Sequence, residues 1–202
     1  DWCEANPPFR GSNWKCAQEA SIRAMHLAVA GLVLGETSTP LPPLIALLTT
    51  HLRRIAPTVA YAKAQGNNHA TSEAAALFIG GSWLARAGRA EGARWLGQGR
   101  QLLESSLGHL VEADGSFSQY SVNYHRLMLD TLSLVEVWRR HLALPPLSDS
   151  SRSRAAAAAA WLRAVVDPVS GDAPNLGAND GANLLPLTDA DCRDFRPAVQ
   201  LA

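Results

Sequence analysis

The chain has 202 residues, enough to bury a sizeable core in one domain with room for a tail. Its 18 basic residues, nearly all arginine, cancel its 18 acidic ones to a formal net charge of +0, and no basic run or stripe stands out. That balance argues against nucleic acid and against an anionic membrane as partners. The longest apolar stretches are broken by Arg, Pro or Gly well short of the ~20 residues that cross a bilayer, so no membrane insertion is expected.

The opening Asp1-Trp2-Cys3 carries no initiator Met, charged region or apolar signal, so a fragment or a processed chain is expected. Asn13 to Val33 reads as a largely buried helix through Trp14, Ala17, Ala20, Ile22, Met25, Leu27, Val29 and Leu32. Within it Glu19 and Arg23 are four apart and share a face, either as an ordinary ion pair or as a cleft-lining cation with its positioning carboxylate. Pro40, Pro42 and Pro43 suit a helix start, and a second helix runs from about Leu44 to Ala64. Pro57 should kink or split it, and His51, Arg53 and Arg54 are read as its solvated face.

Gly66 ends that helix, and Asn67 or Asn68 caps the next, which closes near Ala87 and Gly88. His69 then falls in the first turn, where exposed N–H groups disfavour an imidazolium and favour an anionic ligand. A fourth helix covers Glu91 to Val111, where Gly97, Gly99 and Gly108 signal tight packing or a break. A turn at Ala113–Ser116 leads to a fifth helix from Tyr120 to His141. The sixth, capped by Ser148 or Asp149, carries the alanine run at 155–160 and extends to about Val166. Residues 1–166 are thus expected to be all-α antiparallel hairpins, closer to a closed ring than to a solenoid, and 167–202 an irregular Gly/Asn/Asp/Pro-rich segment.

Chemistry concentrates in three places: Asn67-Asn68-His69; Phe117 to Arg126, where Asn123, Tyr124, His125 and Arg126 crowd the start of an apolar helix; and Pro174 to Ala182, where Asn179-Asp180-Gly181 demands a turn with positive φ. Tyr124 and His125 point about 100° apart, so at most one of them faces a given ligand. Cys3, Cys16 and Cys192 are odd in number and lack CxxC spacing. Neither a disulfide framework nor a zinc site is expected, one bridge among the three staying open.

Together these pieces resemble the α-helical domain of the heparinase II/III-like polysaccharide lyases, a group that includes alginate lyases. The matching stretches are Gly11–Trp14 with Cys16–Arg23, Asn67–His69, Tyr120–Arg126, and Pro174–Gly181 with Asp194-Phe195-Arg196-Pro197, in family order and spanning nearly the whole chain. The resemblance implies an incomplete (α/α) toroid followed in the full-length protein by a C-terminal β-sandwich domain, which these residues lack. It implies a periplasmic or secreted enzyme acting on an anionic, uronate-containing polysaccharide by β-elimination, with no metal or cofactor.

By carry-over, Asn68 neutralises the uronate carboxylate, and His69 is the neutral base or a second neutraliser. Tyr124 protonates the leaving oxygen and, for some stereochemistries, also takes the proton. A phenol with a pKa near ~10 needs a nearby cation to act as a base, and Arg126 or Arg23 is expected to supply it. Trp14, Glu19, Arg23, Asn67, Asn123, His125 and Arg126 line or support the substrate cleft in the same reading. Two alternatives stay open: a glycoside hydrolase on a similar toroid, and a non-catalytic glycan-binding domain. The hydrolase needs paired carboxylates, which Asp114, Asp130 and Asp180 do not form in sequence.

Overall fold

A computed structural model describes residues 2–202. Most of them are helical, and among them no strand occurs beyond one isolated bridge between Val111 and Phe117. The helices are α1 (Trp2–Ala5), α2 (Ala17–Val33), α3 (Pro42–Ile55), α4 (Val59–Ala64), α5 (Asn68–Arg86), α6 (Ala90–Leu110), α7 (Val122–His141), α8 (Asp149–Val165) and α9 (Arg196–Leu201). None is long and apolar enough to cross a membrane.

The chain divides into two compact units. The first takes the chain as far as Gln65 together with Ser72–Leu103; the second takes Gly66–Thr71 with Glu104–Ala202.

In the first unit α2 packs on α3, whose Pro42 and Pro43 occupy the first helical positions, where an N–H has no intrahelical partner to lose. Pro57 splits the expected second helix: α3 stops at Ile55, a 3-10 turn spans Ala56–Thr58, and α4 restarts at Val59. The helix expected from Asn13 begins only at Ala17, because Cys16 is extended and Ser12–Trp14 form a separate 3-10 turn. Of the three glycines flagged in α6, Gly99 lies so close to α5 that a Cβ there would collide with the backbone at Phe78. Gly97 and Gly108 face open space, and α6 runs through all three unbroken.

The expected solvated face of α3 needs correction at His51, which is 0% exposed. Its Nδ1–H donates to the Leu47 carbonyl at 2.9 Å, and its Nε2 accepts from Arg23 Nε at 3.2 Å. Burial holds it below the ordinary imidazole range, with the Arg23 charge adding to the effect and the Leu47 carbonyl opposing it. A histidine beside arginines in sequence looks solvated, but here the arginine that matters comes from α2. Arg54 is likewise half-buried and donates to the Trp14 carbonyl at 2.7 Å.

In the second unit α7 is buried along most of its length and packs against α8 and α9. Ser148 caps α8 by accepting from the Ser151 N–H at 3.3 Å. Below it the alanine run supplies a thin face, with Ala158 fully buried. Residues after Asp167 are irregular until α9, a short helix not anticipated from the sequence, entered at Arg196-Pro197. Cys3, Cys16 and Cys192 form no disulfide among the described residues.

Candidate functional site

The second unit joins the segments the sequence marked as chemical. Ser121 precedes the first residue of α7 in extended conformation, and its Oγ accepts from the Tyr124 N–H at 3.1 Å, a helix cap. The same hydroxyl donates to the Ala178 carbonyl at 2.6 Å, and the Val122 N–H donates to the Leu176 carbonyl at 3.2 Å. The 174–182 loop is thereby docked on the start of α7. Between those anchors Gly177 has φ 74, and a Cβ on it would strike the Tyr120 carbonyl. Tyr120 itself has φ 51, which is why α7 starts at Val122 rather than at Tyr120.

Docking brings Asp180 to Tyr124. The phenol donates to Asp180 Oδ2 at 2.6 Å, the length of a charge-assisted bond. Asp180 Oδ1 accepts from the Ala182 N–H at 3.1 Å, and Asn123 Nδ2 stands 3.5 Å from it. The partner expected for this phenol was a cation, and a carboxylate takes its place. The hydrogen bond to Asp180, then burial, then the charge of Asp180 push Tyr124 up to about 12, opposite to the effect of an arginine. Asp180 in turn is held below the usual carboxylate range, chiefly by the phenol and also by the Ala182 N–H.

Arg126, one candidate for that cation, is committed elsewhere. Its guanidinium donates to the Cys192 carbonyl at 2.6 Å, to Asn123 Oδ1 at 2.8 Å and to the Ala182 carbonyl at 2.9 Å, and it lies 4.4 Å from the Phe195 ring centre. At 4% exposure it holds the loop and the C-terminal segment to α7 and does not reach out to a ligand. His125 is 1% exposed, with Nε2 donating to the Ala158 carbonyl at 2.9 Å and its ring stacked on Trp161 at 4.7 Å. Its contacts place it between α7 and α8.

The start of α5 is tied to the same region. Asn67 Oδ1 accepts from the His69 N–H at 3.0 Å, so Asn67 supplies the cap oxygen. The Asn68 N–H donates to Gln119 Oε1 at 3.1 Å, and Ser118 Oγ donates to the Gly66 carbonyl at 3.3 Å. Asn68 is 4% exposed, whereas Asn67, His69 and Tyr124 are each half-exposed.

Trp14, Glu19 and Arg23 belong to the first unit and form a cluster of their own. Trp14 is buried, donates from Nε1 to the Asn6 carbonyl at 3.0 Å, and its ring lies tilted against that of His51, 4.8 Å between centres. The Arg23 guanidinium lies 5.3 Å from the Trp2 ring centre and 5.6 Å from that of Trp14, and also donates to the Asn13 carbonyl. Glu19 is exposed, 4.0 Å from Arg23.

Sequence reasoning weighed Asp180 only as a hydrolase carboxylate and as part of a turn. Its pairing with Tyr124, across 56 positions, follows from the docked loop. Asp130, one turn beyond Arg126, is a buried carboxylate pushed up to about 7 by its burial. Arg126 and Asp130 line a cavity of about 270 Å³ together with residues such as Leu185, Pro186 and Leu201. No family model matches the chain, and no curated protein or solved structure matches it.

Proposed function

We propose that the chain is the helical part of a polysaccharide lyase that cleaves uronic-acid-containing glycans by β-elimination. In this reading its helices form an incomplete (α/α) toroid, the full-length protein adds a C-terminal β-sandwich domain, and the enzyme works in the periplasm or outside the cell. The observation that carries the reading is the half-exposed Tyr124 phenol fixed by Asp180, in the same unit as the Asn67-Asn68-His69 helix start that Ser118 and Gln119 hold.

The chemistry asks for three things. The carbon beside the uronate carboxylate becomes acidic only when that carboxylate is neutralised. A base must then take its proton, and an acid must protonate the departing glycosidic oxygen. The first turn of α5, at the positive end of the helix dipole, offers the His69 imidazole to the carboxylate. The phenol of Tyr124 offers a proton to the leaving oxygen, and its high pKa keeps it loaded at any working pH.

The test is the full-length protein on a panel of uronate polymers, followed in the ultraviolet for the unsaturated product. Reducing ends without that absorbance would mean hydrolysis, and neither signal would mean a binding domain. Tyr124→Phe is expected to lower kcat by ~10²–10⁴-fold with binding retained. Turnover at the wild-type rate would remove Tyr124 from the mechanism.

A further inference from the structure

We infer that Asp180 stands behind Tyr124 as its proton acceptor, so that the phenol works as a relay between substrate and carboxylate and never exists as a phenolate. The inference rests on the lyase reading and names which group finally holds the proton. Four observations lead to it. The Tyr124 Oη–Asp180 Oδ2 bond is 2.6 Å, short enough for transfer along it. The carboxylate is fixed from its other oxygen by the Ala182 N–H, so it does not need to reorganise. Its loop is pinned to the start of α7 by Ser121 and Val122. Arg126, two residues beyond Tyr124 on α7, gives its terminal N–H groups to Asn123, Ala182 and Cys192, and the charged group that meets the phenol is Asp180.

The bare alternative, a phenolate base, requires removing a proton from Tyr124 beside a negative charge, which the raised pKa of the phenol opposes. The relay avoids it. In the first step the C5–H proton of the uronate moves to Tyr124 Oη while the phenol's own proton moves to Asp180 Oδ2. The C–H electron pair delocalises into the neutralised carboxylate. In the second step that pair forms the C4=C5 bond as the C4–O bond breaks, its electrons staying on the leaving oxygen. Tyr124 gives its proton to that oxygen, and Asp180 returns one to Tyr124. The protein ends as it began, and the substrate has become an alcohol and an unsaturated uronate. Carboxylates do remove protons next to a carbonyl group where the resulting enolate is hydrogen-bonded, and Asp180, held below its ordinary range chiefly by the phenol, does so through Tyr124. His69 is then a neutraliser of the uronate and not the base.

The test uses full-length protein with Asp180→Asn, which keeps an oxygen to accept from Tyr124 and Ala182 but cannot take the proton, and Asp180→Glu as the conservative rescue. Thermal melts establish that each variant folds. The relay expects kcat of D180N to fall by ~10²–10⁴-fold with KM nearly unchanged, and D180E to recover part of the loss. A second readout needs no substrate. The chain has three tyrosines, of which Tyr61 and Tyr120 are 71% and 82% exposed. The alkaline absorbance titration of wild type minus that of Tyr124→Phe therefore isolates Tyr124. It should ionise near about 12 in the wild type and closer to its ordinary value in D180N. D180N with wild-type kcat, a change confined to KM, or a Tyr124 titration that does not move would each overturn the relay. Should D180N not fold, the relay is overturned by a folded Asp180→Ser variant, which has no carboxylate to take the proton, at wild-type kcat. Wild-type protein that yields no unsaturated product from any uronate polymer would sink the lyase reading itself, an outcome separate from an active D180N.

Discussion

Asp130 offers a sharp test of the buried face of α7. It is 3% exposed, and desolvation pushes its carboxyl up to about 7 from an ordinary 3.8, with the Arg126 charge pulling the other way. The folded protein thus holds a proton that the unfolded chain has released. The stabilisation from that proton is whole below about pH 4, drains as pH rises, and is gone above about pH 7. A difference of about 3 units corresponds to about 4 kcal/mol as an upper figure, at 1.36 kcal/mol per unit. Asp130→Asn removes the titration while keeping the shape of the protonated acid. Between pH 4 and 7 the wild type should therefore lose stability relative to the variant, until at pH 8 D130N is the more stable protein by up to about 4 kcal/mol. Urea denaturation at unit intervals of pH and constant ionic strength measures this directly. Carboxylates held low, such as Glu136 at about 2, act in the opposite sense, at more acid pH, and are common to both proteins. Parallel stability curves for wild type and D130N across pH 4–7 would refute the argument.

Two further substitutions probe packing. Gly177→Ala places a Cβ against the Tyr120 carbonyl at a backbone position with φ 74, so the loop should undock at a cost of about 1–3 kcal/mol. Thermal melts would show the loss, and the Tyr124 titration should fall toward its ordinary value as Asp180 moves away. Gly99→Ala drives a methyl into the α5 backbone at Phe78 and should destabilise the first unit by a similar amount, whereas Gly97→Ala, with open space at that position, should stabilise α6 by up to about 1 kcal/mol. Equal melting temperatures for the two alanine variants would contradict the assigned packing.

Much of the helical pattern was legible because its punctuation is local. Pro57 falls in the interior of the expected helix and splits it, Ser148 caps α8 with its own hydroxyl, and the Asn67–His69 entry carries its cap in sequence. What stayed hidden depends on partners distant in the chain. His51 is buried because Arg23, 28 residues earlier, accompanies it. Tyr124 meets Asp180 because a loop 56 residues later folds back, and nothing in either local sequence announces a phenol–carboxylate pair. Arg126 looked like a cation available to the site because sequence does not show the three acceptors that occupy it. The helix at Arg196–Leu201 was missed since six residues carry too little periodicity to rise above the irregular stretch before them.

The hydroxyl of Ser121 has one further implication. Because one oxygen both terminates the first turn of α7 and grips Ala178, fraying of that turn and release of the loop are not independent events. Whatever loosens the Ser121 hydroxyl from the Tyr124 amide also removes one anchor of the loop whose carboxylate faces the Tyr124 side chain. Backbone amides at Tyr124 and Ala182 belong to one cooperative opening unit, and in hydrogen exchange they would gain or lose protection together.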